Sequence, residues 1–272
     1  MRFRPCIDIH NGKVKQIIGG SLRDTGNQAQ ENFVSQQDGA FYASLYKEKD
    51  LKGGHIILLN RADSEYFEAT RKQAFLALGA YPGGLQLGGG VTPDNAAEYL
   101  NAGASHVIVT SYVFRDGHIS WENLEKMVQA VGKEHLVLDL SCRKKGNAYY
   151  VVTDRWQKFT EEQVTLDLME KLGGYCDEFL IHAVDVEGKA KGVEVPLAKL
   201  LGEYKGHPVT YAGGVGSMED IQSLFKETIA EFMENGLEAE LEDELGYSRY
   251  DYRNKATDNS RNGHSSQTLR TS

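Results

Sequence analysis

Seven short apolar runs, each followed by a segment with helical spacing, constrain this chain more than any single motif. The runs are RFRPCIDI, HIILLN (55 to 60), GLQLGG (84 to 89), HVIVTS (106 to 111), HLVLDLS (135 to 141), EFLIHAVD (178 to 185) and PVTYAGG (208 to 214). Helices are expected at Phe33 to Lys49, Ser64 to Leu78, Pro93 to Asn101, Ser120 to Val131, Thr160 to Leu172, Pro196 to Tyr204, and from near Met218. Thr92-Pro93-Asp94 and Thr160-Glu161-Glu162 read as helix starts, the first with proline at the opening helical position. Near-continuous apolar strands fit burial on both faces. Strand, helix, strand units then imply parallel strands joined by right-handed crossovers.

An internal repeat favours an eight-stranded α/β barrel over an open doubly wound sheet. LQLGGGVTPDNAAEYL (85 to 100) matches VTYAGGVGSMEDIQSLF (209 to 225), with Gly89-Gly90-Val91 over Gly213-Gly214-Val215 at an offset of 124. More loosely, CIDIHNGK (6 to 13) matches VLDLSCRK (137 to 144), which places Asp8 over Asp139. Two similar halves are what duplication would leave. The repeat also demands an eighth strand near 230 to 235. Those residues are AEFMEN, inside an acidic helical stretch.

Charge marks the same discontinuity. The chain has 272 residues and a net charge of −9, and Glu227 to Glu244 holds eight acids with no Lys or Arg. Residues 225 to 272 carry −4 and residues 1 to 224 carry −5. An acidic balance argues against a general nucleic-acid binder for residues 1 to 224, because such affinity comes mainly from Lys and Arg on phosphates. No run is long enough to span a membrane, and the N-terminus lacks a secretory pattern. Cys6, Cys142 and Cys176 form no metal-ligand or disulfide spacing, which points to a reducing cytoplasm. Cys6 reads as structural, and Cys142 as exposed beside Arg143.

Parallel barrels place their active sites at the C-terminal ends of the strands. Asp8 and Asp139 both sit there, a suitable pair for one general acid and one general base. Capping of the following turn is the plain alternative for each. Gly88-Gly89-Gly90 and Gly213-Gly214 end strands before helices, where backbone N–H groups can meet a phosphate. A tight turn needing φ > 0 would also use glycine, but three in a row exceed that need. Thr110 and Ser111 could add hydroxyl donors. Arg143 could hold a substrate anion or lie in a solvated loop. Of His182 and Asp185, strand parity sends one to the mouth.

CIDIHNGKVKQIIGG, NFVSQQDGAFYASLYKEKDLKGGHII, LQLGGGV, VIVTSYVF, LVLDLSCRKK, WQKFT, EFLIHAVDVEG and YAGGV together resemble the histidine-biosynthesis isomerases, in the variant typical of fungi and plants. The resemblance runs from Met1 to about Leu224. It implies a (β/α)8 TIM barrel and an Amadori rearrangement of a ribotide with a phosphate at each end. It implies neither a metal nor an organic cofactor. By motif, Asp8 and Asp139 match the acid/base aspartates. Gly89, Gly90, Thr110 and Ser111 match one phosphate site, and Gly213 and Gly214 match half of the other. The related barrel cyclase of the same pathway is an alternative, but SCRK and HAVDVEG fit the isomerase better.

From about Phe225 the sequence instead resembles the N-terminal region of mutator-type transposases. Three segments are therefore expected: a barrel truncated after strand seven (1 to 224), an acidic amphipathic helix (225 to 246) and a polar, disordered tail (247 to 272). Phe225, Ile229, Phe232, Leu237, Leu241 and Leu245 supply the helical spacing. A monomer is expected, prone to aggregate because losing a strand exposes sheet edges. A catalytically dead fusion is the competing reading of the whole chain.

Overall fold

The computed structural model describes residues 2–18, 21–22, 29–154, 156–189, 192–217 and 220. In chain order the elements are β1 (Cys6–His10), β2 (Lys13–Ile17), β3 (Glu31–Val34), α1 (Gly39–Glu48), β4 (Gly54–Leu58), α2 (Phe67–Ala80), β5 (Leu85–Gly88), α3 (Pro93–Asn101) and β6 (Val107–Val109). They continue through β7 (Phe114–Arg115), β8 (His118–Ile119), α4 (Trp121–Val131), β9 (Leu136–Asp139), β10 (Cys142–Lys145), β11 (Ala148–Thr153) and β12 (Lys158–Gln163). The last four are α5 (Leu166–Gly173), β13 (Glu178–His182), α6 (Val195–Glu203) and β14 (Val209–Ala212).

The seven expected runs become β1, β4, β5, β6, β9, β13 and β14. They are hydrogen-bonded in parallel, within a sheet of order β14-β13-β9-β6-β5-β4-β1-β2-β3. Strand periodicity separates two faces. Ile7, Ile9, Ile56, Leu58, Leu85, Leu87, Leu136, Leu138, Phe179 and Ile181 are buried with Ala43, Ala77, Leu78, Leu124, Met169 and Leu172 of the helices. The alternate positions Ile108, Val137 and Leu180 form a second cluster with Ile57 and Ala212. This inner face also carries Asp8, Asp139 and His182.

The inner face is strongly curled. Four strand steps of about 4.8 Å would place β4 roughly 19 Å from β13 in a flat sheet. Yet the rings of His55 on β4 and His182 on β13 are centred 5.5 Å apart. At the N-terminal start of β13, Glu178 accepts from Gln86 of β5 at 3.1 Å and Thr210 of β14 at 2.6 Å, and is ion-paired with Arg4. Barrel closure is not reached among the described residues, because no strand pairs β14 with β1. The expected acidic helix (225 to 246) and polar tail (247 to 272) lie outside the described residues, as does the helix expected from Met218, except for Asp220.

Several expectations need correcting. Glu31–Val34 is a strand antiparallel to β2, so α1 starts at Gly39, where Asp38 accepts from the Phe41 N–H at 2.9 Å, and not at Phe33. Thr160-Glu161-Glu162 does not start a helix but lies in β12. There Thr160 is buried and bonds the Val151 carbonyl at 2.8 Å, while Thr165 caps α5. β10, β11 and β12 form a separate antiparallel sheet in what read as loop and helix. Its pairing of Cys142 with Val151 buries that thiol, against the exposed position expected; Cys6, by contrast, is exposed. Helix α3 occupies the residues expected, with reciprocal capping between Thr92 and Asn95. Among the described residues, no helix is long and apolar enough to cross a membrane.

Candidate active site

Asp139 ends β9 with its carboxylate buried in a network of short side chains. It accepts from Thr110 Oγ1 at 3.0 Å and from Ser141 Oγ at 2.9 and 3.0 Å. Trp156 Nε1 in turn donates to Ser141 at 3.0 Å, and its ring lies 5.9 Å from that of His182. His182 Nδ1 stands 3.5 Å from Asp139 Oδ1, an ion-pair distance outside hydrogen-bond geometry. Burial disfavours the Asp139 anion, but His182, Ser141 and Thr110 outweigh it and hold the carboxyl below its ordinary range. Burial likewise disfavours the His182 cation. Asp139 reverses that and raises His182 to about 9.

Asp8 behaves oppositely. Burial, reinforced by the negative charge of Glu187, raises it to about 7, with His182 pulling the other way. Near neutrality Asp8 is thus divided between its protonated and ionised forms, while Asp139 is ionised. His182 feels both. His55 stays neutral, lowered to about 3 by burial and by the adjacent His182.

A cavity of about 280 Å³ opens beside Asp139, lined by Gly89, Gly90, Thr110, Ser111, Ser141 and Trp156 among others. It unites five of the candidate residues, while Asp8, Arg143, His182, Asp185, Gly213 and Gly214 do not line it. Arg143 lies on β10, not in a solvated loop. Its Nε bonds Asp185 Oδ1 at 2.8 Å, and the Lys144 N–H bonds Asp185 Oδ2 at 2.9 Å. Those two candidates therefore satisfy each other. His182 is the one directed at the buried network.

The glycine loops reproduce the sequence repeat in three dimensions. Gly89 and Gly90 have φ of 102° and 72°; Gly213 and Gly214 have 109° and 80°. A Cβ on Gly89 would fall 2.2 Å from the Leu58 carbonyl, and one on Gly213 would fall 2.8 Å from that of Ala183. Each first glycine is pressed against the end of the preceding strand. Gly90, in contrast, has open space. Gly89→Ala should therefore cost about 3 kcal/mol in denaturant unfolding and Gly90→Ala about 1 kcal/mol; equal losses would contradict the close approach.

The His182 ion pair has a pH signature. A group raised from 6.5 to about 9 contributes stability that is whole below 6.5 and lost as pH rises through 9. Asp139, lowered from 3.8, contributes above that value and loses it in acid. The cost of ionising Asp8 accrues as pH rises from 3.8 and levels off above about pH 7, so the fall that continues to pH 9 belongs to His182. Melting temperature should fall between pH 7 and 9 and fall less steeply in His182→Gln. Parallel curves would refute the pairing.

Ser141, Trp156, His55 and Glu187 are additions that sequence reasoning missed. Ser141 carried a signal, since it lies two residues beyond Asp139 and so on the same strand face. Trp156 stood only within the WQKFT stretch of the resemblance, with nothing to mark it as part of the site: it has φ of 68° in the connection between β11 and β12.

Residues 2–233 match the family model described as histidine biosynthesis protein, and residues 213–272 match that of the mutator family of transposases. A chloroplastic 1-(5-phosphoribosyl)-5-((5-phosphoribosylamino)methylideneamino) imidazole-4-carboxamide isomerase of Medicago truncatula is 52% identical over 228 residues, covering 82% of this chain and 72% of the relative. The Neurospora crassa isomerase of the same name is 44% identical over 226 residues, covering 82% and 85%. That of Yarrowia lipolytica is 42% identical over 233 residues, covering 83% and 86%. With the family match extending through most of its length, this chain belongs to the histidine biosynthesis protein family.

Proposed function

We propose that residues 1 to about 224 form the catalytic part of an aldose–ketose isomerase acting on the bis-phosphorylated imidazole carboxamide ribotide of histidine biosynthesis. The observation that carries this is the placement of Asp8 and Asp139 on one inner face, with their carboxyls shifted in opposite directions. The reaction needs a group that gives a proton and one that takes a proton. One carboxyl protonates the ribose ring oxygen as the C1–O bond breaks, leaving a Schiff base. One carboxylate takes the C2 proton to give an enol, and reprotonation at C1 yields the C2 ketone. Atoms and electrons balance without an oxidant, so no cofactor is required.

Thr110, Ser141 and His182 hold Asp139 ionised. Gly89, Gly90, Thr110 and Ser111 form one phosphate cradle, and Trp156 offers the substrate's heterocycle a stacking face beside it. Gly213 and Gly214 supply half of the second cradle. The (β/α)8 barrel of the family is the architecture we assign, truncated here after its seventh strand and continued by a foreign segment. The transposase match over residues 213–272 favours that boundary. It also supports a second reading, in which the fused chain does not turn over. Arg143 and Asp185 brace the β10 edge of the site through each other. We place the protein in the cytoplasm as a monomer, where the thiols of Cys6, Cys142 and Cys176 stay free, with no nucleic-acid or membrane partner for residues 1 to 224.

The product tests the assignment. Incubated with the aldose, the protein should release an open-chain ketose of unchanged mass, seen as a new C2 carbonyl by carbon NMR. Given the ketose together with ammonia, cleavage to a newly cyclised imidazole product would favour the cyclase instead.

A further inference from the structure

The two glycine cradles share a backbone, but different groups lie against them. Beside Gly90 there is open space leading into the cavity with Thr110 and Ser111. Beside Gly213 lies a carboxylate: Glu187 Oε2 is 3.2 Å from where a Gly213 Cβ would sit. Gly214 is also covered, with the Gly192 carbonyl and Val186 Cγ2 at 2.1 and 2.9 Å from its Cβ position. The Gly192 N–H further bonds the Gly214 carbonyl at 3.1 Å.

Glu187 is held there by its loop. Its N–H bonds the Val184 carbonyl at 3.3 Å, and the next residue, Gly188, is pressed against β2, where a Cβ would meet the Ile17 carbonyl at 2.4 Å. Asn32 Nδ2 also donates to the Gly188 carbonyl at 2.7 Å. The loop after β13 thus reaches the β2–β3 hairpin and carries Glu187 over the second cradle. No cation pairs with Glu187 among the described residues. A carboxylate and a phosphate within a few ångströms repel each other.

We propose that Glu187 occupies the Gly213–Gly214 cradle in the free protein, so a phosphorylated ligand docks first on Gly89–Gly90 and reaches the second cradle only by displacing Glu187. This rests on the phosphate role assigned to both loops, and it adds an order of engagement and a gating residue. The same carboxylate helps to keep Asp8 protonated, so its departure would reach the reacting end of the site as well.

Inorganic phosphate titrated into isotope-labelled full-length chain tests the gate, with the backbone amide signals of the two loops followed separately. In the native protein the Gly89 and Gly90 amides should shift and saturate while those of Gly213 and Gly214 respond at least about tenfold more weakly. In Glu187→Gln, and in Glu187→Ala as a check on side-chain size, the Gly213 and Gly214 amides should gain about tenfold in apparent affinity, with Gly89 and Gly90 unchanged. If both cradles respond alike in the native chain, or the second stays silent in both variants while the first saturates, the gate is wrong. If neither cradle responds in any variant, the phosphate assignment itself fails, and the gate with it.

Discussion

Replacing the residues after Leu224 by a histidine-biosynthesis family C-terminus should raise kcat/KM for the aldose by at least about a hundredfold. The second cradle holds only the Gly213–Gly214 half among the described residues. In the complete barrel we propose, the loop after an eighth strand would add donors to this cradle, and charge-assisted bonds to phosphate are worth about 1.5–3 kcal/mol each. Two such bonds correspond to roughly a hundredfold or more. That energy acts in the transition state, because a phosphate remote from the reacting carbons fixes their position against Asp8 and Asp139. The same replacement would place an eighth strand between β14 and β1 and cover the exposed sheet edges, so cooperativity of unfolding should rise as well. Equal turnover by the unmodified and repaired chains would overturn the truncation. No turnover by the unmodified chain beside an active repaired one supports the dead-fusion reading of the native gene product.

Asp139→Asn in the repaired chain should lower kcat by about a thousandfold, within the range for a lost acid/base group. Its amide cannot take a proton, yet keeps an oxygen to accept from Thr110 and Ser141. It also leaves His182 without its anion, so His182 should return to a neutral imidazole and stability should lose the fall between pH 7 and 9. Asp8→Asn should lower kcat to a similar extent with a different signature. Its carboxyl is destabilised by burial and by Glu187, so removing the charge should leave stability equal or higher while activity disappears. Loss of activity with retained stability separates a functional carboxylate from a structural cap.

The parallel strands were legible because their signal is redundant. A strand such as Leu136–Asp139 is apolar up to its last residue, and its burial on both faces leaves no competing period. Asp139 stood out as a charge closing such a run. The antiparallel β10–β12 sheet was harder, since Arg143, Lys144 and Lys145 mask the first strand and Thr160-Glu161-Glu162 imitates a helix cap. A local cue existed in Gly146-Asn147, the two-residue turn that lets Lys145 face Ala148. The repeat made the glycine cradles legible down to their shared φ angles. It could not show that Glu187 covers one of them, because that contact depends on how the β13 loop crosses to Asn32, far away in sequence. Nor could spacing show that Arg143 and Asp185 consume each other's charge.

The central claim is that Asp8 and Asp139 make residues 1 to about 224 an isomerase site. Conversion of the aldose to the ketose by the repaired chain, measured beside its Asp8→Asn/Asp139→Asn double variant, tests it most directly. Turnover by the repaired chain, with the double variant down at least about a thousandfold yet cooperatively folded, is the expected result. Undiminished turnover by that variant, or a folded repaired chain that converts no aldose, would contradict it.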